Sequence, residues 1–178
     1  MKKIIILAAA LLAATAAFAQ TQPVQFGKTW GSGFFKGMYA SLDEPQTNKN
    51  WEDVDAPAGK YSYTAENLTY TTTSAGLNQF KSKGYELKTG KTSQFEFISG
   101  STGKAVIKVM FRSTAEDQKR TLYIFVNGVK TAWVKTDSNQ FPEEPAACKA
   151  FDVKEGDVIR LGSANSNFII KSISWTGE

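Results

Sequence analysis

From Lys60 to the end of the chain, apolar and polar residues alternate with a period of two, the spacing of strands with one buried face. "KYSYT" (60–64) and "NLTYTTT" (67–73) alternate and are rich in Thr and Tyr. "YELKT" (85–89) sets Tyr85, Leu87 and Thr89 against Glu86 and Lys88. "SQFEFIS" (93–99) points Phe95 and Phe97 one way, Gln94 and Glu96 the other. "KAVIKVMFRS" (104–113) places Ile107, Val109 and Phe111 opposite Lys108 and Arg112. "TLYIFVNGVKTAWVK" (121–135), "AFDVKEGDVIRLGS" (150–163) and "NFIIKSISW" (167–175) continue the pattern. Turns with Gly ("KTGKT", "SGSTGK", "VNGV", "KEGD") separate these runs. Helical periodicity is nearly absent, although "LNQFKSKG" (77–84) has room for one helical turn. Regular short strands with turn signals predict an all-β sandwich or barrel.

The Asn127-Gly128 hairpin poses a question of register. Asn-Gly prefers a two-residue type I′ turn, which pairs Val126 with Val129. Counting outward, Ile124 then faces Thr131 and Leu122 faces Trp133. Trp133 falls on the core face, with Tyr123 and Phe125 on the other. A three-residue turn with a Gly bulge slips the pairing by one and moves Trp133 outward beside Tyr123 and Phe125. The two-residue turn, with Trp133 in the core, is the favoured expectation.

Two segments break the alternation. Residues 27–59 are rich in Gly, Pro, Asn and Asp, yet hold Trp30, Phe34, Phe35, Tyr39 and Trp51. They read as a long irregular aromatic loop. "TDSNQFPEEPAAC" (136–148) is an acidic, Pro-bearing loop. Long loops on a rigid sandwich are common binding sites.

The N-terminus changes the picture of where the chain acts. Lys2 and Lys3 precede an apolar run from Ile4 to Phe18, and Ala17-Phe18-Ala19 has the small-x-small form of a cleavage site. The pattern predicts a secretory signal over 1–19, one domain over 20–178, and a secreted or periplasmic product with no membrane insertion after cleavage. Without Lys2 and Lys3 the balance is 19 basic side chains against 17 acidic, too mild to imply a nucleic-acid partner. Cys148 is the single cysteine, so no internal disulfide is possible, and it reads as a buried small residue. Histidine is absent, which removes the commonest general base and the usual zinc and copper ligands.

The order "NLTY", "GYELKTG", "SQFEFISGSTGKAVIKVMF", "TLYIFVNG" and the closing "FDVKEGDVIRLGSANSNFIIKSISW" resembles small jelly-roll modules of secreted Bacteroidetes proteins. Those modules are carbohydrate-binding-like and often attached to pectate-lyase-type enzymes. The resemblance covers about two-thirds of the mature chain and rests on core positions and turns. It implies a single jelly-roll-like antiparallel β-sandwich. Residues 27–59 depart from it, and no binding motif is carried over.

Sugar recognition needs flat apolar platforms for ring C–H faces and planar polar groups for hydroxyls. Trp30, Tyr39 and Trp51, with Asn50 and Asp53 nearby, offer both in the aromatic loop. Tyr123 and Phe125 offer an outward strand face, and Arg112 an outward guanidinium. The plainer alternative for the loop is a plug that buries its aromatics, and Phe34-Phe35 suits a core better than a sugar shelf. Glu52, Asp53 and Asp55 could contribute to a Ca²⁺ site, but lack the spacing of a known calcium loop; otherwise no cofactor is expected. The leading expectation is non-catalytic binding of a polysaccharide or glycan through aromatic stacking. A module that docks a cell-envelope protein is the alternative. A polysaccharide lyase is third, since lyases of acidic sugars can work without histidine, whereas no carboxylate pair is marked out for glycoside hydrolysis.

Overall fold

The computed structural model describes residues 22–41, 60–73, 87–89, 93–116, 118–163 and 167–178. It is an antiparallel β-sandwich of two six-stranded sheets, so the all-β expectation holds. In chain order the elements are β1 (Lys28–Trp30), α1 (Ser32–Ala40), β2 (Lys60–Ala65), β3 (Leu68–Thr73), β4 (Leu87–Thr89), β5 (Gln94–Ile98) and β6 (Gly103–Ser113). There follow β7 (Arg120–Val126), β8 (Val129–Thr136), β9 (Ala146–Ala147), β10 (Phe151–Val153), β11 (Val158–Ser163) and β12 (Phe168–Gly177). One sheet runs β1-β12-β6-β10, with β4 also pairing β12 and β9 pairing β6. The other runs β2-β3-β5-β11-β7-β8.

The period-two pattern sorts the faces. Phe95, Phe97, Leu122, Ile124, Ile159 and Leu161 from one sheet meet Ile107, Val109, Phe111, Ile170, Ile173 and Trp175 from the other. Trp175 sits at the aromatic centre, its ring 5.1 Å from those of Phe26 and Phe97. Ile170 and Ile173 are three residues apart yet both buried, because the pairing of β12 with β6 shifts between Ile170 and Ser172. A bulge absorbs one residue there and restores the inward parity.

The segment 27–41 is not an irregular loop. It forms β1 and then a nine-residue helix, despite two glycines within "SGFFKGMYA". A helix this short has little intrinsic stability and holds through its packing. Phe34, Phe35 and Met38 are buried, and Phe34 meets Tyr63 edge-on at 5.3 Å. Ser41 closes the C-terminus, its Oγ donating to the Met38 carbonyl at 2.7 Å. Residues 42–59 and 77–84, including the suggested helical turn, lie outside the described residues, as does the signal sequence over 1–19.

The hairpin resolves into a combination that neither count anticipates. Asn127 (φ 49°) and Gly128 (φ 82°) form the two-residue turn, and Val126 pairs with Val129 as expected. The pairing then shifts: Phe125 faces Lys130, but Ile124 faces Ala132 and Tyr123 faces Trp133. Thr131 is the extra residue of a bulge, its Oγ1 donating to the Val129 carbonyl at 2.9 Å. Trp133 is therefore outward and 51% exposed, not in the core, while Ala132 and Val134 turn inward. The physical reason lies across the sandwich. β8 is the edge strand of its sheet and packs against β6 and β9, where small inward residues fit.

A second two-residue turn joins β2 to β3 through Glu66 (φ 48°) and Asn67 (φ 61°), where no Gly announces it. Asn127 does more than turn the chain. Its Nδ2 donates to Asp157 Oδ1 at 2.8 Å and its Oδ1 accepts from the Val158 N–H at 2.9 Å, tying the hairpin to the β10–β11 turn. Asp157 also accepts from the Lys154 N–H at 2.8 Å, as its turn role implies.

Candidate functional site

The outward face of the β2-β3-β5-β11-β7-β8 sheet carries exposed Trp133 beside half-buried Tyr123 and Phe125. Strand pairing sets them in rows. Trp133, Tyr123, Gly162, Gln94 and Thr71 lie side by side across β8, β7, β11, β5 and β3. The next row holds Lys130, Phe125, Arg160, Glu96 and Thr69. On the other side of the first row, Thr121 pairs with Lys135. Trp133, Tyr123 and Phe125 thus form one contiguous strip.

Each ring of the strip carries a cation. Lys130 Nζ stands 4.9 Å from the Tyr123 centroid, Lys135 Nζ 5.6 Å from Trp133, and Arg160 Cζ 4.7 Å from Phe125. Such contacts hold about 0.5–1 kcal/mol each at exposed sites, so the rings are covered by displaceable groups. Among the described residues, the ion pairs are Lys28–Glu66 and Lys104–Asp152, and neither lies on this strip. Glu96 is the cross-strand neighbour of Arg160, yet the guanidinium stacks on Phe125.

Gly162 pairs with Tyr123 and puts no side chain beside it. A Cβ built there meets only the Ser93 carbonyl, at 3.8 Å, an ordinary contact. Neither space nor backbone conformation requires glycine at this position, although glycine within a strand costs roughly 0.5–1 kcal/mol relative to alanine. Its effect is on the surface, where it leaves the Tyr123 flank open towards Gln94.

Two other sequence candidates, Trp30 and Arg112, lie away from this strip. Trp30 is fully buried, its ring 5.1 Å from Phe97 and its Nε1 donating to the Glu66 carbonyl at 2.9 Å, so it is a core residue and not a platform. Phe34 and Phe35 follow the plug alternative. Tyr39 lies in the last turn of α1, and its side chain is outside the described ones. Asn50, Trp51, Glu52, Asp53 and Asp55 also lie outside. Arg112 belongs to the other sheet, where it donates to the Asn139 carbonyl at 3.0 Å and stacks on Phe141 at 5.1 Å, holding the 136–148 loop. Among the described residues, no three His, Cys, Asp or Glu side chains are grouped to hold a metal ion.

Lys130, Lys135, Arg160 and Gly162 were not among the sequence candidates. The alternation in "VIRLGS" already sets Arg160 and Gly162 opposite Ile159 and Leu161. What the alternation lacks is the strand order that brings β11 beside β7. Cys148 is buried, as expected, and desolvation raises its thiol pKa while the Ile107 N–H donated to its Sγ partly offsets this.

No protein-family model matches the chain, and no curated protein matches it. Solved structures do. CBM35 from Cellvibrio japonicus Abf62 aligns at 14% identity and TM-score 0.43, covering 54% of this chain and 76% of that one. CsCBM6-3 from Clostridium stercorarium, in complex with cellobiose, aligns at 9% and 0.41, covering 70% and 92%. The catalytic unit of a GH87 α-1,3-glucanase from Streptomyces thermodiastaticus strain HF3-3 aligns at 17% and 0.44, covering 70% of this chain and 27% of that one. These likenesses are weak, and they include enzyme structures as well as carbohydrate-binding modules. Among the described residues no helix is long and apolar enough to cross a membrane.

Proposed function

We propose that this protein binds carbohydrate non-catalytically, by stacking sugar rings on the strip of Trp133, Tyr123 and Phe125. The observation that carries the reading is Trp133, a large aromatic held half-exposed beside two others on one sheet face. A strand surface presents these rings at fixed spacing and low conformational cost, which suits the repeating rings of a polymer. Gln94 and Glu96 border the strip and supply planar hydrogen-bonding groups for hydroxyls. The leader pattern at Lys2 to Ala19 supports action outside the cytoplasm, and a secreted product beginning at Gln20 on N-terminal sequencing is the expected result.

Affinity gel electrophoresis against a panel of polysaccharides tests the binding. Retardation by at least one polymer, abolished in Trp133→Ala and Tyr123→Ala, is expected. A folded protein that no polymer retards refutes the proposal. Co-purification of an envelope protein that depends on Trp133 would instead favour the docking alternative. Release of products absorbing in the ultraviolet from uronate polymers would favour a lyase.

A further inference from the structure

The strip is not neutral: among the described residues its cations stand over aromatic rings, and the ion pairs lie elsewhere. Lys130, Lys135 and Arg160 surround three aromatic rings, with Glu96 the one carboxylate in the two rows that pair across the sheet. The cations lie on both sides of the Trp133–Tyr123 row. Lys135 stands in the row before it, Lys130 and Arg160 in the row after it. At roughly 3.4 Å per residue, the two cationic rows are about 14 Å apart along the strands.

Resting on the carbohydrate reading, we propose that the strip selects anionic polysaccharide, of the class that carries carboxylates on its sugar rings. In the ligand-free state the cations park on the ring faces. A neutral glycan must displace them and offers no counter-charge in return. A carboxylated glycan exchanges each ring contact for a charge-assisted hydrogen bond and uncovers the ring for stacking in the same movement. Arg160 prefers a carboxylate because its planar fork matches the two oxygens. Glu96, opposite Arg160, orients the approach by repelling anions from the β5 side. Gly162, paired with Tyr123, has no side chain to crowd a sugar ring stacked there.

Three displaced ring contacts correspond to a preference of about tenfold or more for the charged polymer at low salt. The test compares alginate with its neutral ester, so that backbone and length match, in affinity gels and calorimetry at low and high salt. The neutral polymer hydroxyethyl cellulose and the sulfated polymer dextran sulfate complete the set. Alginate is expected to bind at least tenfold more tightly than its ester, and high salt to remove the difference. The combined Lys130→Gln, Lys135→Gln and Arg160→Gln variant should bind alginate no better than its ester, while Lys104→Gln, on the other sheet, leaves the preference intact. Gly162→Val should weaken binding with the fold unchanged by circular dichroism.

Equal binding of alginate and its ester, unaffected by the triple variant, overturns the charge selection and leaves the carbohydrate reading standing. Retention by no polymer at all overturns that reading itself. Retention by dextran sulfate alone, insensitive to Trp133→Ala, reduces the face to an anion exchanger and overturns both.

Discussion

The bulge at Thr131 determines which residues of β8 face the core, and paired charge substitutions test it directly. Trp133 is 51% exposed and Val134 2% exposed. A tryptophan side chain offers roughly 200 Å². With about half of that covered, the burial term is about 2.5 kcal/mol at ~25 cal/mol per Å². A compact unfolded chain reduces it, and the aliphatic stem of a lysine recovers part of the contact, so Trp133→Lys should cost about 1–2 kcal/mol. Val134→Lys loses about 1.5–3 kcal/mol of apolar burial and also brings an ammonium inward. That charge carries a penalty of several kcal/mol, relieved only by losing its proton or reaching the sheet edge, so a total of at least about 4 kcal/mol is expected. Urea unfolding followed by circular dichroism separates the two. With a slope of about 2 kcal/mol per M, Trp133→Lys should lower the midpoint by under about 1 M, and Val134→Lys by about 2 M or to the point of unfolding. Without the bulge the inward set would be Thr131 and Trp133, and the ranking would reverse. A Trp133→Lys protein less stable than Val134→Lys refutes the register described here.

Deleting Thr131 removes the extra residue without moving any other pair, so the chain should fold at a small cost. The difference in acrylamide quenching with and without Trp133→Phe should show Trp133 still accessible; a protected Trp133 would contradict the bulge. At Gly37, a methyl group would overlap Tyr63 Oη, so Gly37→Ala should lower stability by about 1–3 kcal/mol despite the better helix propensity of alanine. Adding Tyr63→Phe removes the obstructing oxygen and should restore the loss in thermal melts, whereas a gain from Gly37→Ala alone would place α1 away from β2. Burial raises the Cys148 pKa above its ordinary value of 9.0. The stabilisation from its neutral form is therefore full below that ordinary value and lost as pH rises through the folded one. Urea midpoints should fall above about pH 9, less so in Cys148→Ala, and a thiol reagent should label the native protein slowly; rapid labelling at neutral pH would refute the burial.

Much of the architecture is legible in the residues themselves. Alternation with period two placed Phe95, Phe97, Ile107, Val109 and Phe111 on the core face, because a strand exposes successive side chains to opposite sides. Asn127-Gly128 specified its turn, since few residues adopt the left-handed conformation that turn demands. The same local rules kept Tyr123 and Phe125 outward. They did not reach α1, where two glycines mask a helix held by Phe34, Phe35 and Met38 against the sandwich. Nor did they place Trp30, whose indole completes a core built mainly from strands far away in the chain.

Trp133 marks the boundary between the two kinds of information. The turn next to it is a local event, but its own face depends on one residue being left out of the ladder. That choice follows from the space between β8 and the strands β6 and β9 across the core, which accepts Ala132 and Val134 inward. The cations depend on a longer reach still, because Arg160 meets Phe125 only when β11 is inserted between β5 and β7. Local sequence determined the strands, their faces and the turn, since sterics and hydrophobic periodicity act over a few residues. Tertiary structure alone decided the register and the neighbours, since both depend on volume and pairing contributed by distant parts of the chain.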